Sequence, residues 1–190
     1  MKMITKYNEL SKTKKIAALS PVFYNINNNK VYPAINRKGF LKIKSYNIKK
    51  DIIVTETISS GLFINLDVFE NIGKMSEELF IDWVDYEWCW RAKKNGYSIF
   101  MVANNRIYHN LGIKNKNIFL YKYPKHNKNR YYYIFRNGFY LILYSKNIPN
   151  LWKINIFFDL IKYFFGFWLI ENLNIYFIKI FFNSIKDSFV

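Results

Sequence analysis

The side chains able to do chemistry concentrate in Phe80-Ile81-Asp82-Trp83-Val84-Asp85-Tyr86-Glu87-Trp88-Cys89-Trp90-Arg91, followed by Lys93-Lys94-Asn95-Gly96-Tyr97. Three carboxylates fall within six residues, among large apolar side chains. Burying a charged carboxylate is costly unless something pairs or uses it. A helix starting near Asp82 places Asp82 and Asp85 one turn apart on one face. The positive helix end favours negative charge there. An ionised carboxylate at a cleft edge can take a proton from an attacking hydroxyl. The competing use is capping and dipole compensation, since acidic first turns are common. Glu87 and Arg91 stand at i and i+4 in the order that favours a helix-surface ion pair. Eighteen residues after Arg91 comes His109, which reads as a structural histidine or a metal ligand.

These residues need a scaffold, and 190 residues are enough for one domain with a real core. Half the chain is hydrophobic and 21% is aromatic. The net charge is +16, from 29 Lys plus Arg against 13 Asp plus Glu. Such a surplus suits an anionic partner, or reflects lysines on solvated faces. The single cysteine, Cys89, excludes an intrachain disulfide, and its place between two tryptophans makes it an apolar filler. No signal peptide is visible, and no apolar run approaches the ~18 residues that span a bilayer.

Along the chain, residues 1–14 read as a polar helix remnant or loose end. Ile16 to Tyr24 reads as a buried strand whose end is set by Pro21. Residues 30–52 read as lysine-rich exposed loop or edge strand. Val54 to Leu66 holds a strand, a Ser59-Ser60-Gly61 break and a second apolar element. Asp67 to Gly73 reads as a short helix stopped by glycine. A helix over about Asp82 to Lys94 ends at Gly96. Tyr97–Val102 and Arg106–His109 read as two strands, 114–128 as a basic loop and Tyr131–Tyr144 as an apolar helix. The order fits an α/β domain with a helical tail.

Taken together, Ser60-Gly61, Val68-Phe69-Glu70-Asn71-Ile72-Gly73, Phe80 to Trp88, Arg91, Gly96-Tyr97 and Tyr108-His109-Asn110-Leu111-Gly112 resemble the second half of a family 2 glycosyltransferase. The nearest group is the bacterial rhamnosyltransferase-like enzymes of surface polysaccharide assembly. Arg130-Tyr131-Tyr132-Tyr133-Ile134-Phe135-Arg136-Asn137 resembles a later signature of that group. The resemblance spans roughly 15–145 and implies an incomplete GT-A (Rossmann-like) mixed sheet, with residues 146–190 as an amphipathic, aromatic helical tail.

The resemblance also implies roles. Asp85 falls on the catalytic base that deprotonates the acceptor, with Asp82 and Glu87 as supporting acids. His109 falls on a late metal ligand. Ser60 and Gly61 fall in the loop approaching donor and acceptor, and Trp88 near the acceptor, where its ring could stack on a sugar. Arg130 and Arg136 are candidates for diphosphate oxygens, against ordinary surface pairing. A complete enzyme would use Mg or Mn and a nucleotide sugar, dTDP-rhamnose by resemblance, and transfer rhamnose with inversion to a lipid-linked glycan at the inner membrane face.

The DxD aspartates that hold the metal in such enzymes have no counterpart here, because Asp51 and Asp67 are isolated. The expectation is therefore a truncated product or one half of a split enzyme, lacking its nucleotide-binding half and inactive alone. A rival reading is a non-catalytic, membrane-associated binding protein derived from a decayed transferase. A nucleic-acid binder has the charge but no motif, so no nucleic-acid partner is expected. The tail, with Lys153, Lys162, Lys179 and Lys186 among aromatics, suits peripheral contact with an anionic membrane, or packing on its own domain.

Overall fold

Ile16 to Phe23 is buried on both faces and, Ser20 apart, apolar, because the strand it forms, β1 (Ile16–Asn25), is central in a sheet covered on both sides. The computed structural model describes residues 2–26, 29–109, 115–118 and 121–189. The chain is α/β, with a mixed sheet and a helical C-terminal part, and divides into two units. The first holds residues 1–76 and 84–110, the second 77–83 and 111–190.

In the first unit, α1 (Lys2–Ser11) precedes β1. Then come β2 (Ala34–Lys38), β3 (Leu41–Ser45), β4 (Ile52–Val54), β5 (Phe63–Ile64), α2 (Leu66–Ile72), α3 (Val84–Lys94) and β6 (Ser98–His109). The sheet order is β4-β6-β1-β5. β1 and β6 are parallel, while β4 and β5 pair antiparallel at the edges. On one face Trp88, Cys89 and Ala92 of α3 and Ile72 of α2 pack on Ala18, Val22, Ile99 and Met101. On the other, Met3, Tyr7 and Leu10 of α1 cover Ile16, Leu19, Phe100 and Val102. Those three recur at helical spacing, so the N-terminal segment is a packed helix.

Three expectations change. Pro21 does not end β1; the strand runs through it, and the register against β6 slips between Pro21 and Val22. A residue without an N–H is tolerated where the ladder is already irregular. Tyr97–Val102 and Arg106–His109 join into the single strand β6, spanning that slip. Residues 30–52, read as exposed loop or edge strand, hold strands that pair with each other as the antiparallel hairpin β2–β3.

In the second unit a 3₁₀ turn, Glu77–Leu79, opens the segment before α3. The basic stretch holds a small hairpin, β7 (Asn115–Ile118) with β8 (Tyr121–Pro124). Then follow α4 (Lys128–Tyr144), α5 (Asn150–Ile170) and α6 (Ile175–Lys186). Phe135 of α4, Phe164 and Phe167 of α5, and Phe177 and Phe181 of α6 form one ring cluster, with Phe164 and Phe181 centroids 4.3 Å apart. Gly138 lets α5 approach closely, since a β-carbon there would lie 2.7 Å from a Leu160 methyl. The tail therefore packs on α4 with one arc and leaves Leu151, Ile154, Phe158, Ile161 and Phe165 exposed on another. Among the described residues no helix is long and apolar enough to cross a membrane.

Candidate active site

The helix α3 starts at Val84, two residues later than its sequence suggests. Asp82 has φ 60 and Trp83 φ 64, so both lie in the left-handed region and neither is helical. Asp82 is therefore not a first-turn acid and does not share a helix face with Asp85. Asp85 and Glu87 are the acids of the first turn. Asp85 is half-buried. Its charge, with those of Glu56 and Glu87, reaches Cys89. Burial is the larger cause that pushes the Cys89 thiol up to about 12, which rules out a thiolate nucleophile at neutral pH.

Glu87 is buried and accepts from Arg91 Nη2 at 2.9 Å, so the i, i+4 pair forms, but inside rather than on the surface. Arg91 also donates to the carbonyls of Ile72 and Lys74, tying α3 to the end of α2. Trp88 is 0% exposed. Its indole N–H donates to the Gly73 carbonyl at 3.0 Å, and its ring lies 5.9 Å from Phe69. A ring enclosed in this way has no face to offer a sugar, so the stacking role expected of Trp88 is replaced by a core role.

Ser60, Gly61 and His109 do come together. Ser60 Oγ lies 2.9 Å from His109 Nε2, bridging the loop before β5 to the end of β6. The other imidazole nitrogen, Nδ1, is buried without a hydrogen-bond partner among the described residues, and Phe23 meets the ring edge-on. Gly61 has φ 66, and a β-carbon there would lie 2.2 Å from Ile107 Cδ1. Backbone shape and space both call for glycine beside this pair. Asn110, Leu111 and Gly112, which extend the motif, lie outside the described residues.

His109 is the expected metal ligand, yet its Nε2 is engaged by a hydroxyl and its Nδ1 is enclosed. Among the described residues no three His, Cys, Asp or Glu side chains gather around a common point. This donor set does not fit a divalent cation, and no chemical step is assigned to one.

In the second unit, Arg130 forks onto Asp82, with Nε and Nη2 each 3.0 Å from a carboxylate oxygen. Arg136 donates to the Glu78 carbonyl at 2.7 Å and to Asn137 Oδ1 at 3.1 Å. Both guanidinium groups, candidates for phosphate or for ordinary pairing, hold segment 77–83 in place here. Asn137, fully buried, donates from Nδ2 to the carbonyls of Leu79 at 2.6 Å and Ile81 at 2.8 Å. The Trp83 indole donates to the Ile134 carbonyl at 2.9 Å.

The sequence reading also missed a buried ion pair. Arg37 Nε meets Glu56 Oε1, which further accepts from the Trp90 indole at 3.3 Å. The available signal was Glu56 itself, a carboxylate in the strand-like run Val54-Thr55-Glu56-Thr57. A partner in the lysine-rich region was not visible from spacing.

Over 143 residues the chain is 36% identical to the dTDP-rhamnosyl transferase RfbF of Shigella flexneri. The chain resembles a rhamnosyltransferase. The match covers 70% of this chain and 46% of the Shigella protein, so the chain spans just under half the length of that relative. No protein-family model matches the chain.

Proposed function

We propose that the chain is the acceptor-side portion of a glycosyltransferase that moves rhamnose from dTDP-rhamnose to a glycan. The likeness to a dTDP-rhamnosyl transferase carries this reading. Asp85, half-buried in the first turn of α3, is the base: it takes the acceptor hydroxyl's proton as that oxygen attacks the anomeric carbon. Direct displacement inverts that carbon, and the nucleoside diphosphate leaves with the bonding pair. The Ser60–His109 pair and Gly61 hold the loop before β5 against β6. In this reading residues 15–145 belong to a family 2, GT-A domain. The nucleotide diphosphate is gripped largely by residues outside this chain, because Arg130 and Arg136 have other partners. The acceptor is lipid-linked, and the outer arc of α5 makes a peripheral membrane contact.

The test is rhamnosyl transfer from dTDP-rhamnose to a lipid-linked glycan. It is run with the chain alone and with the chain joined to the part of the Shigella relative it does not match. The joined protein is expected to transfer, and Asp85→Asn to lower the rate by about 10²–10⁴ with stability unchanged. Full activity of Asp85→Asn would remove the base, and no transfer by the joined protein would remove the reading.

A further inference from the structure

The hairpin β2–β3 is anchored at its base and bare at its tip. Thr55 N donates to the Ile35 carbonyl at 2.8 Å, Arg37 N donates to Thr55 Oγ1 at 3.0 Å, and the Arg37 side chain is buried on Glu56. Beyond this anchor the chain turns at Gly39-Phe40, and Lys38 pairs with Leu41. Phe40 is 49% and Leu41 65% exposed, although both are large and apolar. A free two-stranded hairpin is marginal in water, so the buried ion pair is what presents this tip in a defined shape.

The charged residues of the hairpin and its flanks are all basic, with Lys42 reaching back to Glu56 at the base, 3.8 Å away. Residues 25–50 contain seven Lys or Arg and no Asp or Glu. Lys38, Lys44, Lys49 and Lys50 are exposed. From Lys44 to Leu41 the strand advances about 10 Å. An anionic bilayer offers a complementary profile: phosphates at the surface, and hydrocarbon reached about 5–10 Å deeper. A nucleic acid would satisfy the lysines but leave the aliphatic Leu41 and Ile43 without a counterpart.

We infer that the hairpin β2–β3 docks on an anionic phospholipid bilayer, with Phe40 and Leu41 entering the headgroup–acyl boundary and the lysines facing lipid phosphates. This deepens the peripheral contact proposed for α5 but involves different residues, and it does not depend on sugar transfer.

The experiment is co-sedimentation of the full chain with phosphatidylcholine vesicles, with and without phosphatidylglycerol. Phe40→Ser/Leu41→Ser and Lys38→Glu/Lys44→Glu are compared with Phe158→Ser/Ile161→Ser on α5, circular dichroism confirming folding. The hairpin variants are expected to weaken binding to phosphatidylglycerol vesicles about tenfold. As a second measurement, Leu41→Cys carries an environment-sensitive dye, Cys89 being fully buried and unlabelled. Its emission should shift to the blue on phosphatidylglycerol vesicles only. Three results would overturn the inference: no binding by the wild type, equal binding to both vesicles, or hairpin variants that bind fully and show no dye shift. Loss confined to the α5 variants would overturn it too, while leaving the contact through α5 standing. Tighter binding of the wild type to a single-stranded oligonucleotide than to vesicles would reassign the surface to nucleic acid.

Discussion

Gly61 shows how one residue type can be demanded twice. Its φ of 66 disfavours any side chain, and its missing β-carbon makes room for Ile107 Cδ1. Gly61→Ala should cost about 1–3 kcal/mol in urea unfolding. Ile107→Val removes the clashing methyl, so the alanine should cost less in that background; an unchanged cost would assign the whole effect to φ. His126 makes a second case. It falls in the stretch 114–128 that reads as a basic loop, yet its ring meets Tyr131 and Phe167 edge-on, each at 5.8 Å. Burial, and then the charge of Arg130, lowers its pKa to about 4. The unfolded chain therefore binds a proton below about pH 6.5 that the folded chain refuses until about pH 4. Stability should be full above pH 6.5 and fall as pH drops towards 4, by at most about 2 kcal/mol given partial solvent screening. Thermal melts of His126→Phe should lose this share of the pH dependence.

At the scale of elements, the segment before α3 has three non-glycine residues at positive φ: Phe80, Asp82 and Trp83. Such conformers cost about 1–3 kcal/mol each and persist only where surroundings impose them. Here α4 imposes them, through Arg130 on Asp82, Asn137 on the Leu79 and Ile81 carbonyls, and Tyr140 on Glu78 at 2.6 Å. Asn137→Ala should destabilise the protein by about 3 kcal/mol, because it strands buried carbonyls. Asn137→Asp keeps the shape but replaces donors by acceptors, and should be worse at pH 7 than at low pH, where a protonated acid can donate. Equal stability of Asn137→Asp and wild type at neutral pH would refute the clamp. The sequence pattern Arg130…Arg136-Asn137 is legible as a motif, but its partners lie 48 to 58 residues away and no local periodicity connects them. A separation of 19 residues likewise hid the pairing of Arg37 with Glu56, and with it the anchored hairpin in a stretch that reads as loop or edge strand.

At the scale of the molecule, two units share one chain, and each buries its apolar surface differently. The first follows rules that work on short windows. A continuous apolar run is a central strand, and glycines after Ile72 and Asn95 end helices. The second unit is harder to read because α5 is apolar nearly all round, so periodicity does not say which arc faces α4. Only packing shows that Phe164 and Phe167 face inward while Phe158 and Phe165 stay exposed. By itself the sequence determined the α/β class, the existence and C-terminal ends of α2, α3 and α4, and Asp85 as a first-turn acid, because hydrophobic period, glycine stops and helix-end charge are local properties. Tertiary structure alone decided that Trp88 is core, that His109 meets Ser60, and that Arg130 serves Asp82. Those outcomes depend on which distant backbone arrives beside each side chain, and burial and hydrogen bonding are settled only there.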